Sequence, residues 1–516
     1  MNLLKSLTTV SAITLLSRIL GFIRDLIIAQ IFGAGMYTDA FFLAFKFPNL
    51  LRRIFAEGAF SQAFIPVFIE YKSKNNNLDS KEDIRLFVSY ISGILIIVLI
   101  CIVMLTTIIA PQLVSIIAPG FANKDNIFSV VIYLLRIMLP YILLISLSSL
   151  VSVLLNIYNY FLIPAFTPIL FNLSLIIFTL LSKLYFDSSI ILLGWGVLFG
   201  GLMQLLFQIP FLKRIKLLVI PRFSLKKSYV LLVIRRMGPA IISMSVSQIS
   251  SIINNIFSSF LTFGSISWLY YSNRLVELPI GVLGVALSTI ILPLLSESLS
   301  NRNYDEYSRL MNWGLRICLM LSLPSSVGLI ILSKPIVISL FQYGKFSNLD
   351  TLMTQYALIA YAIGLTGLMT IKILVLGFYS QNDMKTPVKI AVITLIVTQL
   401  INLAFFSSLG HVCLSLSISL SAILNSYLLY YQLRKKNIFK LQDGWLEFLI
   451  HIFIATLVMA LVLLIILYFI PSWEHGLMIE RILKLIVTCF IGLVVYIFVL
   501  KTFGFKISDF SFQSSK

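Results

Sequence analysis

The chain has 516 residues, 59% of them hydrophobic and only 11% charged, and its mean hydropathy is +1.01. That composition excludes a soluble globular domain and a disordered chain, and fits a polytopic helical membrane protein. The formal net charge of +19 would suggest nucleic acid on a soluble protein. Here the cations sit mostly in short loops between apolar stretches, so no nucleic-acid partner is expected.

Apolar stretches long enough to cross a bilayer recur from end to end. In chain order they predict spans at 6–32, 37–71, 86–110, 128–158, 161–182, 190–212 and 230–262. Further spans are predicted at 267–298, 306–332, 351–379, 388–407, 411–433, 446–470 and 481–504. The expected fold is an all-α integral membrane protein with fourteen transmembrane helices. The first stretch has no small-residue cleavage site and contains Arg18 and Arg24, so it reads as a retained helix and not as a signal peptide. Alternate loops are basic: Lys72, Lys74, Lys81 and Arg85; Lys213, Arg214, Lys216, Arg222, Lys226 and Lys227; Lys385 and Lys389; Arg434, Lys435, Lys436 and Lys440. Between them, 33–38 and 263–266 have no Lys or Arg, and 111–127 has only Lys124. This asymmetry predicts that both the N- and C-termini are cytoplasmic.

The basic loop at 213–228, with Pro221, divides a duplication. Ala59, Ser61, Pro66 and Glu70 recur as Ala286, Ser288, Pro293 and Glu297, all at an offset of 227. Asn159 and Pro164 recur as Asn382 and Pro387, at an offset of 223. Two six-helix lobes of parallel topology are expected, at 1–228 and 229–440, followed by two extra helices and a tail at 441–516.

Charges break the first two spans. Arg18 and Arg24 interrupt one, and Lys46, Arg52 and Arg53 the other. A cation at the centre of a membrane helix costs about 2.5–3.5 kcal/mol on insertion scales, so these groups are not expected to face lipid. Asp39, Lys46 and Arg53 are spaced by seven and share one stripe, which Asn49 and Glu57 join at steps of three and four. Arg52 points about 100° away, and Pro48 is placed to bend the helix and re-aim it. Arg18 and Asp25 share a face, while Arg24 lies on another and needs a partner or ligand from elsewhere. Arg274 and Glu277 form a further pair three residues apart. Two readings stay open: structural ion pairs with snorkelling ends, or the lining of a wet, cationic cavity for an anion. Arginine suits phosphate because its planar fork donates two bonds at once.

Other groups carry less. Cys101, Cys318, Cys413 and Cys489 show no metal or redox spacing and read as packing residues. His411, His451 and His475 have no ligand spacing, and Asp383 reads as a loop charge. There is no Walker loop and no HExxH, so no metal or cofactor is expected. Any pumping would draw on an ion gradient or the membrane potential.

The run Ser17-Arg18-Ile19-Leu20-Gly21-Phe22-Ile23-Arg24-Asp25 resembles the opening motif of the MurJ (MviN) family of lipid II flippases, in the MATE-like (MOP) exporter superfamily. So does the stretch from Thr38-Asp39-Ala40-Phe41-Phe42 through Phe47-Pro48-Asn49-Leu50-Leu51-Arg52-Arg53 to Glu57-Gly58-Ala59-Phe60-Ser61. The likeness continues through Gly238-Pro239, Gln248, Tyr270-Tyr271, Arg274, Gly281 to Ala286, Phe341-Gln342-Tyr343-Gly344 and Lys385-Thr386-Pro387, covering essentially the whole chain. The resemblance implies a multi-pass protein of the bacterial inner membrane that flips the undecaprenyl-pyrophosphate-linked peptidoglycan precursor by alternating access. It implies that Arg24, Arg52 and Arg274 bind the pyrophosphate, with Arg18, Asp39, Lys46 and Arg53 in the same cationic cavity. Asp25, Asn49, Glu57 and Asn273 would support them. A groove at the last two helices would hold the lipid tail. The implied partners are lipid II, membrane lipids and proteins of cell-wall synthesis and division. Two departures stand out: Asn273 replaces an Asp seen in many relatives, and 230–262 holds Gln248, Asn254 and Asn255 but no carboxylate, so sodium coupling has no support there.

Rival readings differ in what they require. An exporter of another polyprenyl-linked oligosaccharide would share these features. A drug exporter should carry acidic cavity residues, whereas the first two spans hold more cations than carboxylates. A glycan-polymerising enzyme would need a large outer loop or clustered carboxylates, and a division scaffold would not need intramembrane arginines.

Overall fold

The computed structural model describes residues 3–53, 60–74, 80–122, 124–223, 228–436, 438–470 and 472–505. Among them every regular element is a helix. The chain divides into two compact units, Met1–Ser267 and Trp268–Lys516.

The first unit holds α1 (Leu3–Phe32), α2 (Met36–Leu51), α3 (Phe60–Lys74), α4 (Ser80–Ile108), α5 (Ala110–Ile117) and α6 (Pro119–Ala122). It continues with α7 (Asp125–Met138), α8 (Tyr141–Ile157), α9 (Leu162–Tyr185), α10 (Ile191–Arg214) and α11 (Ser228–Ser259). α9 packs on α1 and α10, α8 on α10 and α4, α2 on α7, and α11 on α3, α5 and α6. Gly196 and Gly200, four apart on α10, make the α9 contact close. A Cβ on Gly196 would lie 2.9 Å from Phe178 Cβ, and one on Gly200 2.8 Å from Phe171 Cδ2. Small residues at this spacing let helix backbones approach where no hydrophobic effect drives them together. A second join is aromatic. Phe64, Phe68 and Phe87 are fully buried, Phe64 stacks on Phe87 at 5.7 Å, and Tyr71 meets Tyr229 at 4.7 Å, linking α3, α4 and α11. The basic loop after α10 is also fixed: the Arg222 amide donates to Ser89 O at 3.0 Å, and Ser89 Oγ to Ile220 O at 2.5 Å.

α12 (Ser265–Ser300) carries the chain into the second unit, which holds α13 (Tyr304–Ile331), α14 (Ser333–Phe341), α15 (Asn348–Ile363) and α16 (Leu365–Tyr379). α17 (Lys385–Leu409), α18 (His411–Lys435), α19 (Trp445–Phe469) and α20 (Met478–Thr502) follow. α18 packs on α15, α16 and α17, α13 on α16 and α19, and α19 on α20. Ser347 and Asp350 close α15 with a capping box, and Asp350 also accepts the Trp268 indole N–H at 2.9 Å.

Three stretches gain detail. The expected span 128–158 holds as one membrane-length segment, Asp125–Ile157, interrupted at Leu139–Pro140 between α7 and α8 because proline has no N–H to continue the ladder. The span 351–379 is α15 and α16, bent by 40° at Gly364. A Cβ at Gly364 would lie 2.4 Å from Ser419 Cα. Hydroxyls bind the carbonyls beside this bend: Ser419 Oγ donates to Ala360 O at 2.6 Å, and Ser326 Oγ to Ala362 O at 2.6 Å. The stretches 111–127 and 333–350, which fall between expected spans, contain α5, α6 and α14, short helices that begin around Pro111, Pro119 and Pro335.

Nine helical segments among the described residues are long and apolar enough to cross a membrane, or ten with the bent α15–α16 pair. α1, α2, α11 and α12 are not among them; α1, α2 and α12 carry the charged residues singled out in the sequence.

Two turns related by the offset of 223 match at the level of single hydrogen bonds. The turn from α8 to α9 closes with the Tyr160 amide on Leu155 O at 2.9 Å, around Asn159 at φ 64°. The turn from α16 to α17 closes with the Asp383 amide on Phe378 O at 3.0 Å, around Asn382 at φ 56°. Both are left-handed helix ends with the same 6→1 bond, and every residue pair is related by the offset of 223.

Candidate functional site

In the first unit, α1 sets Arg24 and Asp25 against α9. Arg24 is 9% exposed and Asp25 fully buried. Nε and Nη2 of Arg24 donate to Asp25 Oδ1 at 2.9 and 2.6 Å, and Nη1 donates to Asn172 Oδ1 at 3.0 Å. The Asn172 amide in turn donates to Ser17 O at 3.0 Å. One asparagine on α9 thus holds both the guanidinium and the backbone about two turns earlier. Adjacent helical residues point about 100° apart, but the long arginine stem folds back to the neighbouring carboxylate. Arg24 therefore finds its partners in Asp25 and Asn172, while Arg18 is half-buried on another part of α1.

Asp39, in the first turn of α2, is 1% exposed. It accepts from the Gly264 amide at 2.7 Å, the Ser267 amide at 2.8 Å and Ser267 Oγ at 2.6 Å. Its carboxylate caps the start of α12, where the free amides of a helix N-terminus favour negative charge.

Further along α2 the polar stripe opens onto space. Lys46 donates to Asn255 Oδ1 of α11 at 2.5 Å. Lys46, Asn49 and Arg53 line a cavity of about 50 Å³ with Gln248, Ser251 and Asn255 of α11. That is room for a few waters. Arg52 turns to Asn49, with Nε and Nη2 at 3.0 and 2.8 Å from its Oδ1. Residues 52 and 53 prolong α2 in a wider, π-type turn after Pro48, and Arg53 is exposed. Glu57 lies outside the described residues.

In the second unit, Glu277 of α12 serves two neighbours. It accepts from Asn273 Nδ2 at 3.0 Å and from Arg274 Nη1 at 3.3 Å. Asn273 thus binds the same carboxylate that pairs with Arg274. Among the described residues no group of three or more His, Cys, Asp or Glu is placed to share a metal ion.

An amide oxygen orients a cation without cancelling its charge. In the first unit the carboxylates of Asp25 and Asp39 are engaged by Arg24 and by the α12 turn, while Lys46 is steadied by a neutral asparagine. A cation held by a neutral amide can still offer its charge to an anion, more strongly where the dielectric is low.

Comparison with known proteins gives the arrangement a context. A family model described as "Lipid II flippase MurJ" matches residues 28–484. A protein of Buchnera aphidicola subsp. Acyrthosiphon pisum named "Probable lipid II flippase MurJ" is 46% identical over 515 residues, covering 100% of both chains. The "Lipid II flippase MurJ" of Burkholderia cenocepacia is 42% identical over 464 residues, covering 89% of each. Among solved structures, "Lipid II flippase MurJ, inward closed conformation" superposes with a TM-score of 0.80 at 27% identity, over 96% of this chain and 98% of that one. An inward-facing multidrug resistance MATE family transporter of the MOP superfamily shares the fold at a TM-score of 0.60 and 14% identity, over 80% of this chain and 98% of that one. With a family model spanning most of its length and relatives above 40% identity over nearly all of it, the chain belongs to the MurJ family of lipid II flippases.

Proposed function

We propose that this chain flips lipid II, the polyprenyl-pyrophosphate-linked peptidoglycan precursor, from the cytoplasmic to the periplasmic leaflet of the bacterial inner membrane. The observation that carries the reading is family membership joined to amide-steadied cations inside the first unit, Lys46 above all. Arg24, Arg52 and Arg274 are the groups proposed to take the pyrophosphate, with Arg18, Lys46 and Arg53 adding to the positive field. Asp39 and Asp25 set the backbone and the Arg24 rotamer. The protein acts as a transporter by alternating access, with an ion gradient or the membrane potential as its energy source and no bound cofactor.

The proposed topology has fourteen spans and cytoplasmic termini. The ten apolar candidates, counting the bent pair once, are joined in this count by α1, α2 with α3, α11 and α12. Two six-helix lobes at 1–228 and 229–440, with α19 and α20 as an appendix, would accommodate the repeated turns at Asn159 and Asn382.

The test is complementation of a cell depleted of its lipid II flippase, with lipid II exposed on the outer leaflet read directly. Wild type is expected to restore exposure, and Arg24→Ala to fail at normal membrane levels. No rescue by a well-expressed wild type would overturn the substrate assignment.

A further inference from the structure

A second cavity lies well away in sequence from the charged stripe. It occupies about 350 Å³ in the second unit, where the end of α13 and the start of α14 face the loop between α19 and α20. That volume falls in the range of small-molecule and head-group sites. Its apolar lining includes Ile338, Leu467 and Ile470. The lining also includes one cation, Lys334, one carboxylate, Glu474, and the imidazole of His475, all three on exposed residues. Trp473 completes the lining: its ring is buried, and its indole N–H has no acceptor among the described residues. A buried donor in that condition favours any ligand that brings an acceptor.

The loop is held in place by groups outside the cavity. The Arg481 guanidinium donates to the carbonyl of Glu474, to Gly476 O at 3.2 Å and to Gln342 O at 3.5 Å. It also sits over the Tyr343 ring at 5.1 Å. Glu480 accepts from the Leu477 amide at 3.2 Å. The walls are therefore set by α20 and α14 contacts that need no ligand.

The cavity lies at the end of α19 opposite Lys435, Lys436 and Lys440, which positive-inside topology assigns to the outer leaflet. We propose that it holds the head group of a zwitterionic phospholipid. Lys334 takes the phosphate, Glu474 takes the primary ammonium, and the apolar wall takes the first methylenes of an acyl chain. Lys334 and Glu474 are the one Lys or Arg and the one Asp or Glu among the lining residues, and together they suit a head group that carries both signs. A purely anionic head group would set one negative charge against Glu474. The indole N–H of Trp473 adds a donor for a phosphate or ester oxygen, as tryptophan does at membrane interfaces.

The test is native mass spectrometry of the full-length chain released from detergent, with phosphatidylethanolamine and phosphatidylglycerol supplied in equal amounts. Wild type is expected to retain the ethanolamine lipid at least fivefold over the glycerol lipid. Lys334→Gln should weaken both lipids at this site. Glu474→Gln should abolish the preference while sparing the glycerol lipid, and Trp473→Phe should weaken retention with the ring packing kept. Equal retention of the two lipids by wild type would overturn the proposal without reference to any variant. Displacement of the lipid by millimolar soluble phosphoethanolamine would assign the cavity to a soluble phosphate compound and overturn the lipid source. The readout is lipid retention, so it is independent of lipid II movement.

Discussion

Asn172 shows how much one amide can do inside a membrane protein. It binds the Arg24 guanidinium and the Ser17 carbonyl together, and nothing in the charge pattern pointed to it. Its only signal in the sequence is an amide in the middle of the apolar run of α9. The stripe of Lys46, Asn49 and Arg53 was legible, because a spacing of seven and a step of three fix a helical face whatever lies opposite. The partners Asn255, Gly264 and Ser267 were not legible, because they come from residues more than 200 positions away. Asp39 shows the limit of a stripe argument: it shares the face of Lys46, but its height along α2 sets it against the turn into α12. Asp25→Ala should destabilise the chain by about 3–5 kcal/mol, since it leaves a buried guanidinium without its counter-charge. Asn172→Ala should cost less, about 1–3 kcal/mol, the price of one lost acceptor and one lost donor. Thermal unfolding in detergent, compared with the exposed Tyr185→Ala as a control, checks the order; equal losses would contradict it. A pH effect belongs to the turn at Asp383, outside the spans. Burial acts to raise its carboxyl, but the Lys436 ammonium at 2.6 Å and bonds from Thr386 outweigh it and hold the group below the usual carboxylate range. A depressed acid stabilises the fold above its ordinary value of 3.8 and loses that contribution as pH falls further. Wild type should therefore lose more melting temperature than Asp383→Asn between pH 6 and about pH 3. Parallel curves would show that the pair contributes nothing.

At the scale of elements, the positions of the long apolar helices could be read from hydropathy, but their interruptions could not. Pro140 announces a break in sequence, whereas Gly364 does so only through the crowding of Ser419 behind it. The bend between α15 and α16 rests on hydroxyl groups rather than on a proline, and hydropathy treats those serines as minor polar blemishes. The repeated turns give the sharpest prediction here. Asn159 and Asn382 both hold positive φ, which asparagine tolerates and alanine resists. Substituting alanine at either should cost about 1–2 kcal/mol, while glycine should be nearly neutral. Urea or thermal unfolding of the four single variants decides it. Two alanine variants as stable as the glycine ones would mean that the left-handed turns are not required.

For the whole molecule, the basic loops predict sidedness through the positive-inside pattern. In a chain with its own cysteines replaced, Asp187→Cys and His475→Cys should react with an impermeant maleimide in intact spheroplasts. Lys216→Cys and Arg302→Cys should react only after permeabilisation. Any reversal within this set would refute the fourteen-span count. The clamp between α1 and α9 also has a consequence for how the chain is made. Arg24 meets Asp25 as soon as both leave the ribosome, but Asn172 is 148 residues further on. At about 5–20 residues per second, that partner arrives about 7–30 s later. Through that interval α1 carries a half-satisfied charge pair, and its best refuge is the protein-lined edge of the insertion machinery. Biogenesis of this chain should accordingly hold its first helix back from the lipid until the fifth apolar segment has been threaded.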